Sequence, residues 1–166
     1  MEYIWSPWRM SYIQSHKNQA VCVFCFEAEK ADGLENLIVR RGRRAFVILN
    51  RFPYTSGHLL IVPYDHQPTL ELLDAETRAE LMELVNEGIQ VLASVYRPQG
   101  YNVGINIGEA AGAGITGHVH MHVVPRWGGD TNFMSSTGNS RVLPESLEDT
   151  YRRLSEAWNE KTGAVD

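Results

Sequence analysis

Apolar runs in the first half of the chain predict β-strands. Residues 45–49 (AFVIL) and 58–62 (HLLIV) are rich in apolar and β-branched side chains, and residues 37–39 form a weaker run. Pro53 and Gly57 interrupt the sequence between the two stronger runs. Short apolar runs bounded by such turn residues are typical of strands with short connections. The pattern therefore predicts an antiparallel meander of three strands.

After residue 73 the spacing of apolar residues changes to that of helices. Asp74 is a favourable N-cap, and Glu76 places negative charge in the first turn. This long helix should end before Pro98 and Gly100, and a second helix should open near Pro144, because proline is tolerated in a first helical turn. The predicted buried stripes comprise Leu81, Leu84, Val85, Gly88, Leu92 and Val95 in the first helix and Leu147, Tyr151, Leu154 and Trp158 in the second.

Two further strands are predicted, at residues 101–107 and 118–124, with a glycine-rich segment, residues 108–117, between them. The resulting order of elements is β-β-β-α-β-β-α, with short connections in its first part. Strands joined by short connections pair in antiparallel fashion. The sequence therefore predicts an α+β fold, with an antiparallel sheet of about five strands, one long helix and one C-terminal helix.

The composition is that of a folded domain without excess positive charge. Of the 166 residues, 43% are hydrophobic and 21% charged, close to the average for globular proteins. The 15 basic and 20 acidic residues give a net charge of −5, which argues against nucleic acid as a partner and requires any phosphate site to be local. The N-terminal residues lack a signal-peptide pattern, and no apolar stretch is long enough to span a membrane, so we expect a cytoplasmic protein.

One domain, residues 1–166, accounts for the whole sequence, because no repeat, linker or low-complexity segment divides it. Within it, residues 1–20 form an N-terminal arm and residues 128–166 form a C-terminal tail and helix. Aromatic side chains are costly to leave in water, so we expect the arm to pack on the body of the domain or on a second subunit. The aromatic residues of the arm are Tyr3, Trp5, Trp8 and Tyr12.

Three of the six histidines fall within one short segment, as His118, His120 and His122. In a strand these side chains would share one face, because side chains alternate with a period of two, and the apolar residues between them would face the core. A row of this kind can bind a metal, or it can present one imidazole as a nucleophile. The alternation by itself predicts a functional site and leaves both kinds of chemistry open.

The glycine-rich segment before the histidines favours phosphorus chemistry. Gly112, Gly114 and Gly117 can leave backbone N–H groups uncovered, which lets a chain approach an anion closely. Upstream, Cys22 and Cys25 are the only cysteines, and their C-x-x-C spacing is typical of a redox pair or of half of a zinc site. A thioredoxin-like role is disfavoured because the motif does not lie in a parallel βαβ unit.

The histidine segment, residues 117–126 (GHVHMHVVPR), resembles the signature of the histidine triad superfamily, in which histidines alternate with apolar residues. Residues 50–63 (NRFPYTSGHLLIVP) resemble the N-terminal sheet of that superfamily. Two shorter segments, residues 5–9 (WSPWR) and 125–130 (PRWGGD), look like the bacterial branch associated with diadenosine tetraphosphate phosphorylase activity. The resemblance implies the histidine triad fold and the transfer of a nucleotidyl group.

By this resemblance His120 would attack an α-phosphorus and form a covalent nucleotidyl-imidazole. Its other ring nitrogen needs an acceptor, for which we predict a backbone carbonyl of the glycine-rich segment. His122 would bind the phosphoryl oxygens and Asn50 would contact the ribose. Asn106 is placed near the phosphates by an alignment that needs a one-residue insertion. The expected nucleotide contacts are completed by Gly112 and Gly114, whereas Phe46 and Ile48 either wall the base or belong to the core.

The resemblance also suggests a structural zinc site. Cys22, Cys25, His66 and His118 supply two thiolates and two imidazoles, the set that closed tetrahedral zinc sites use. Similar sets occur in some triad proteins and in related galactose-1-phosphate uridylyltransferases. The alternative is that both cysteines act as small hydrophobic residues and that His66 lies on the surface.

Several functions remain open beside a phosphorylase acting on an adenine-containing dinucleoside polyphosphate. They are a hydrolase acting on such a compound or on an adenosine phosphoramidate, a non-catalytic zinc-braced nucleotide-binding module, and a catalytic metal held by all three clustered histidines. A uridylyltransferase is disfavoured, because the triad ends in His122 where that group has glutamine. The resemblance implies a homodimer with a continuous sheet, with a tetramer as the alternative.

Overall fold

A computed structural model describes residues 22–130 and 143–163. The aromatic arm expected at residues 1–20 lies outside the described residues, as does part of the expected C-terminal tail, residues 131–142 and 164–166. No helix in these two ranges is long and apolar enough to cross a membrane.

Five antiparallel strands form one sheet in the order β1-β2-β3-β5-β4. The prediction of an α+β fold on a five-stranded antiparallel sheet is therefore confirmed. β4 and β1 are the two edge strands, and β5 lies between β3 and β4. The strands are β1 (Ile38–Arg41), β2 (Ala45–Leu49), β3 (Leu59–Pro63), β4 (Gly100–Ile105) and β5 (Met121–Arg126).

The predicted bounds agree for β2, differ by one or two residues for β1, β3 and β4, and are wrong at the start of β5. β5 begins at Met121, so His118 and His120 precede the strand instead of forming a row within it. The reason is a backbone hydrogen bond of Val119, which lies between these two histidines. The Val119 N–H donates to the Gln67 carbonyl at 2.7 Å and not to a neighbouring strand. The histidine segment therefore joins the sheet only at Met121.

Three α-helices are present among the described residues: α1 (Val23–Ala28), α2 (Ala75–Tyr96) and α3 (Leu147–Thr162). α2 begins as predicted, with the Asp74 side chain accepting a bond from the Thr77 N–H. The predicted start of α3 near Pro144 is wrong, because Ser146 is the N-cap and accepts from the Asp149 N–H. α1 was not predicted, since six residues are too few for a helical period to be recognised.

The two faces of the sheet have different partners. Leu59 of β3 lies beneath α2, since a Cβ atom at Gly88 would be 3.1 Å from its side chain. Leu60 points to the opposite face, because side chains alternate along a strand. His122 of β5 is paired directly with Leu60 and therefore shares that opposite face. The helices α2 and α3 thus cover one side of the sheet, and the histidines lie on the other.

Gly57 places the start of β3 against the end of α2. Its φ of +78° lies in the left-handed region, and a Cβ atom there would be 2.8 Å from Leu92 Cδ2. Only glycine meets both conditions without strain. The next residue, His58, is 1% exposed and points toward the histidine-bearing face.

Candidate active site and metal site

The geometry around His120 defines one neutral form of its ring. The side chain is 5% exposed, and its Nδ1 lies 2.9 Å from the backbone carbonyl oxygen of His118. A carbonyl can only accept, so Nδ1 carries the proton and Nε2 keeps its lone pair. Burial lowers the pKa of His120, with the carbonyl contact opposing that effect. The imidazole is therefore neutral at pH 7 and can act as a nucleophile through Nε2.

The carbonyl that orients His120 is not in the glycine-rich segment. We predicted an acceptor from residues 108–117, and the structure provides the carbonyl of His118, the next residue along the chain. Because the chain has not yet joined the sheet at this point, the carbonyl of His118 is available to the His120 side chain, two residues later. The correction makes the backbone position of His118 a determinant of the His120 tautomer.

His122 receives a hydrogen bond from His58, the residue that precedes the neighbouring strand β3. The Tyr54 backbone N–H donates to His58 Nδ1 at 3.1 Å, so the proton of a neutral His58 is on Nε2. His58 Nε2 lies 3.0 Å from His122 Nδ1 and donates to it. The proton of a neutral His122 is then on its own Nε2. This arrangement converts His122 into a hydrogen-bond donor toward the open side of the site.

His58 is the site residue that sequence reasoning missed. It was assigned only to a strand, although it lies in the Gly57-His58 pair of the segment that resembles the histidine triad superfamily. Its contact with His122 joins residues 64 positions apart in the chain. No spacing rule connects such distant residues. The one signal in the sequence was a histidine at the start of an apolar run.

Asn50 lies beside the histidines, and its side chain takes part in two local contacts. Its Oδ1 accepts from the Phe52 N–H at 2.9 Å, and its Nδ2 lies 3.3 Å from His58 Nδ1. His58 in turn contacts His122, so Asn50 lies one residue away from the histidines of the predicted site. Its contact with the ribose stays a prediction.

The three residues predicted to contact phosphate, Asn106, Gly112 and Gly114, differ in their backbone positions and hydrogen bonds. Asn106 directly follows Ile105, whose register partner is Met121, so it continues β4 toward His120. The Gly112 N–H is already used, because it donates to the Glu109 carbonyl at 2.9 Å. With a φ of +86°, Gly112 instead supplies the left-handed residue that ends a short 3₁₀ helix. Gly114 lies in the turn that follows, and its role stays a prediction.

The two residues that were considered as walls for the base belong to the core. Phe46 is fully buried and Ile48 is 6% exposed, both on β2. Phe46 packs against Tyr64 at 5.3 Å between ring centroids. The alternative that they are ordinary core residues is the one that agrees with their burial. The aromatic ring that packs against His120 is that of Phe24 on α1, with ring centroids 5.0 Å apart.

Cys22, Cys25, His66 and His118 converge in one cluster. One ligand atom from each residue lies within 4.8 Å of the others. The Sγ to Nδ1 distances are 3.3 Å for Cys22 to His118, 3.2 Å for Cys25 to His66 and 3.7 Å for Cys25 to His118. The corresponding edge of an ideal tetrahedral zinc site is about 3.6 Å, from the usual bond lengths. The donor set and its spacing thus fit a tetrahedral metal.

His118 connects this cluster to His120. Its Nε2 donates to the Pro63 carbonyl at 2.9 Å, which leaves the Nδ1 lone pair directed at the two thiols. An imidazole ligand whose other nitrogen is held by a carbonyl is the usual arrangement in metal sites. Burial, as the largest effect, lowers the pKa of His118 to about 4. Burial and the neighbouring Cys22 thiol raise the pKa of Cys25 to about 11.

Comparison with known proteins shows which family the chain is similar to. A HIT domain model matches residues 34–129. The AP-4-A phosphorylase of Mycobacterium tuberculosis is 39% identical over 165 residues, covering 95% of this chain and 85% of the relative. A zinc-bound histidine triad family protein from Mycobacterium smegmatis superposes with a TM-score of 0.68 at 28% identity, over 87% of this chain and 97% of that one.

A more distant structure shares the fold alone. Plasmodium falciparum diadenosine triphosphate hydrolase superposes with a TM-score of 0.64 at 19% identity, over 92% of this chain and 95% of that one. The family model covers more than half of the chain, and the mycobacterial relative exceeds 30% identity over nearly all of it. The chain that carries this arrangement of histidines therefore belongs to the histidine triad (HIT) family.

Proposed function

We propose that this protein transfers a nucleotidyl group from a dinucleoside polyphosphate through a covalent bond to His120. The observation that carries the proposal is the hydrogen bond from His120 Nδ1 to the His118 carbonyl, which leaves Nε2 as the nucleophilic atom. Nε2 attacks the α-phosphorus, an N–P bond forms, and the P–O bond to the leaving group breaks. The buried, neutral imidazole needs no prior loss of a proton to react in this way.

The acceptor in the second step is phosphate, by similarity to the mycobacterial AP-4-A phosphorylase. An oxygen of inorganic phosphate attacks the same phosphorus, the N–P bond breaks, and His120 returns to its starting form. With diadenosine tetraphosphate the products are ATP from the first step and ADP from the second. Water as the acceptor gives AMP instead of ADP, which is the hydrolase alternative.

His122 stabilises charge on phosphorus during both steps. Because His58 donates to its Nδ1, the Nε2–H of His122 donates to a phosphoryl oxygen or to the leaving oxygen. Asn50 binds the ribose, and Asn106 with Gly114 contacts the phosphates. Gly112 supports the same loop through its backbone conformation.

Zinc binds at Cys22, Cys25, His66 and His118, with support from the donor spacing and the zinc-bound mycobacterial relative. Its chemistry when bound is structural, because four protein ligands leave no open position. The metal-binding residues brace the backbone of His118, and the carbonyl of that residue orients His120.

The protein acts as a single-domain homodimer in the cytoplasm. Support for the dimer comes from β4, an edge strand whose Val103 is 42% exposed, since a second copy can pair with that edge. Light scattering at low protein concentration separates a dimer from a monomer and from a tetramer.

Product analysis tests the proposed reaction. The protein is incubated with diadenosine tetraphosphate, with and without inorganic phosphate, and nucleotides are separated by ion-exchange chromatography. We expect ADP and ATP in equal amounts when phosphate is present. AMP with ATP in both samples would instead establish the hydrolase, and binding of AMP without any turnover would establish the non-catalytic alternative.

Loss of the His58 donor is expected to reduce turnover more than substrate binding. In His58→Leu the His122 ring loses its partner, and we expect kcat to fall by roughly 10-fold to 100-fold, less than is typical for loss of a direct transition-state donor. His58→Gln keeps a side-chain N–H donor and should recover part of kcat. Steady-state kinetics decide the point. Equal effects of Leu and Gln, or a change confined to KM, would show that His58 only supports the fold.

A further inference from the structure

His122 lies between a leucine side chain of β3 and a glycine of β4, which has no side chain. Its register partner on β3 is Leu60, which is 7% exposed, and the His58 ring lies on the same side. Its register partner on β4 is Gly104. Directly opposed residues in an antiparallel pair project from the same face, so β3 places a leucine side chain directly opposite His122 whereas β4 places none there. The nearest side chains on that face of the β4 side belong to Asn102 and Asn106, two residues away in each direction.

An aromatic ring lies beside each of the two histidines His120 and His122. Phe24 packs on His120 at 5.0 Å between centroids. Tyr54 lies nearly parallel to His122 at 6.2 Å, with 9° between the planes. Substrate atoms beside these histidines therefore meet one aromatic ring at each of them, whereas no side chain projects from β4 directly opposite His122.

Neither the backbone nor the packing of β4 explains a glycine at position 104. Among the described residues, no heavy atom lies within 4 Å of a Cβ atom built on Gly104, and Gly104 does not adopt the left-handed conformation that favours glycine. Glycine is unfavourable within a strand. A glycine in a strand interior often marks the close approach of a ligand. The open space above Gly104 adjoins the histidine that contacts phosphate in the proposed reaction.

We infer that Gly104 provides the path by which the leaving group departs, so that it determines which substrates the site accepts. This inference rests on the proposed function and deepens it. The bond that breaks at the α-phosphorus releases an oligophosphate that carries a second nucleoside. His122 donates to this group, and from His122 the open direction leads across Gly104. A side chain at position 104 would stand about 5 Å from the Cβ of His122 and would block that path.

A substitution series on β4 tests this inference. Gly104→Ala and Gly104→Val add one and three carbons to open space, so both should fold, and valine favours a strand. Gly100→Val is the matched control, because Gly100 lies on the same strand and face, opposite Arg126, and also has open space around its Cβ position. The measurements are kcat/KM with diadenosine tetraphosphate and the Kd of AMP, which lacks a leaving group.

We expect Gly104→Val to lower kcat/KM for diadenosine tetraphosphate by roughly 10-fold to 100-fold, with a smaller loss for Gly104→Ala. AMP affinity should stay within about threefold, and Gly100→Val should leave both quantities unchanged. An equal loss of AMP affinity, or unchanged turnover in Gly104→Val, would overturn the inference while leaving the proposed reaction intact. Absence of turnover by the unmodified protein would instead overturn the proposed function, and this inference with it.

Discussion

Replacing His120 by asparagine is expected to lower turnover of diadenosine tetraphosphate by a factor on the order of 10³ or more, as for other enzymes that lose a nucleophile. His120 supplies the only atom that forms a bond to phosphorus in the proposed first step. The side chain is 5% exposed and contacts the His118 carbonyl, so asparagine can keep a polar contact there while losing the reactive nitrogen. Initial rates of ADP and ATP formation measure the effect.

Two controls separate this loss from damage to the fold. The melting temperature of the variant should lie close to that of the unmodified protein, and AMP should still bind. His122→Asn should retain more activity than His120→Asn, because His122 stabilises charge and forms no bond to phosphorus. A variant at His120 that keeps more than about one-hundredth of the rate would be incompatible with a nucleophilic role of the size given for such residues.

Cys25→Ser is expected to abolish zinc binding and to lower the melting temperature strongly. Metal at about a thousand times its Kd stabilises a folded protein by about 4 kcal/mol. For a chain of this size, that amount corresponds to a decrease of roughly 8–16 °C. Calorimetry measures the transition, and elemental analysis measures the zinc content. Activity should fall as well, because the metal-binding residues hold the backbone segment whose carbonyl orients His120.

The matched control for this variant is Phe26→Ser. Phe26 is the next residue on α1 and is 52% exposed, so Phe26→Ser places a serine in the same helix without removing a thiol. We expect one zinc per chain and a melting temperature close to that of the unmodified protein. A chain that carries no zinc as purified, and whose melting temperature does not respond to chelation or to Cys25→Ser, would refute the metal site.

Local signals in the sequence predicted most of the fold. Asp74 marked the start of α2 because its side chain caps the Thr77 N–H, and both groups lie within one turn. The bounds of β2 followed from a continuous apolar run between polar residues. The start of α3 could have been found in the same way, since Ser146 and Asp149 form a capping pair three residues apart.

The features that were missed depend on contacts between distant parts of the chain. β5 begins late because the Val119 N–H bonds to the Gln67 carbonyl, which no strand pattern reveals. The role of His58 depends on a contact with His122 across the sheet. Residue types alone grouped Cys22, Cys25, His66 and His118 as one candidate set, because a Cys2His2 set is typical of zinc sites, but only the structure shows their atoms in one cluster.

Mass spectrometry of a rapidly quenched reaction tests directly whether His120 forms a covalent bond to the nucleotidyl group. The protein is mixed with diadenosine tetraphosphate in the absence of phosphate, quenched under alkaline conditions that preserve a phosphorus–nitrogen bond, and digested for peptide mapping. We expect one adenylyl group on His120, lost with formation of ADP when phosphate is added before the quench. An adenylyl group on another residue, or turnover without any adduct on His120, would contradict it.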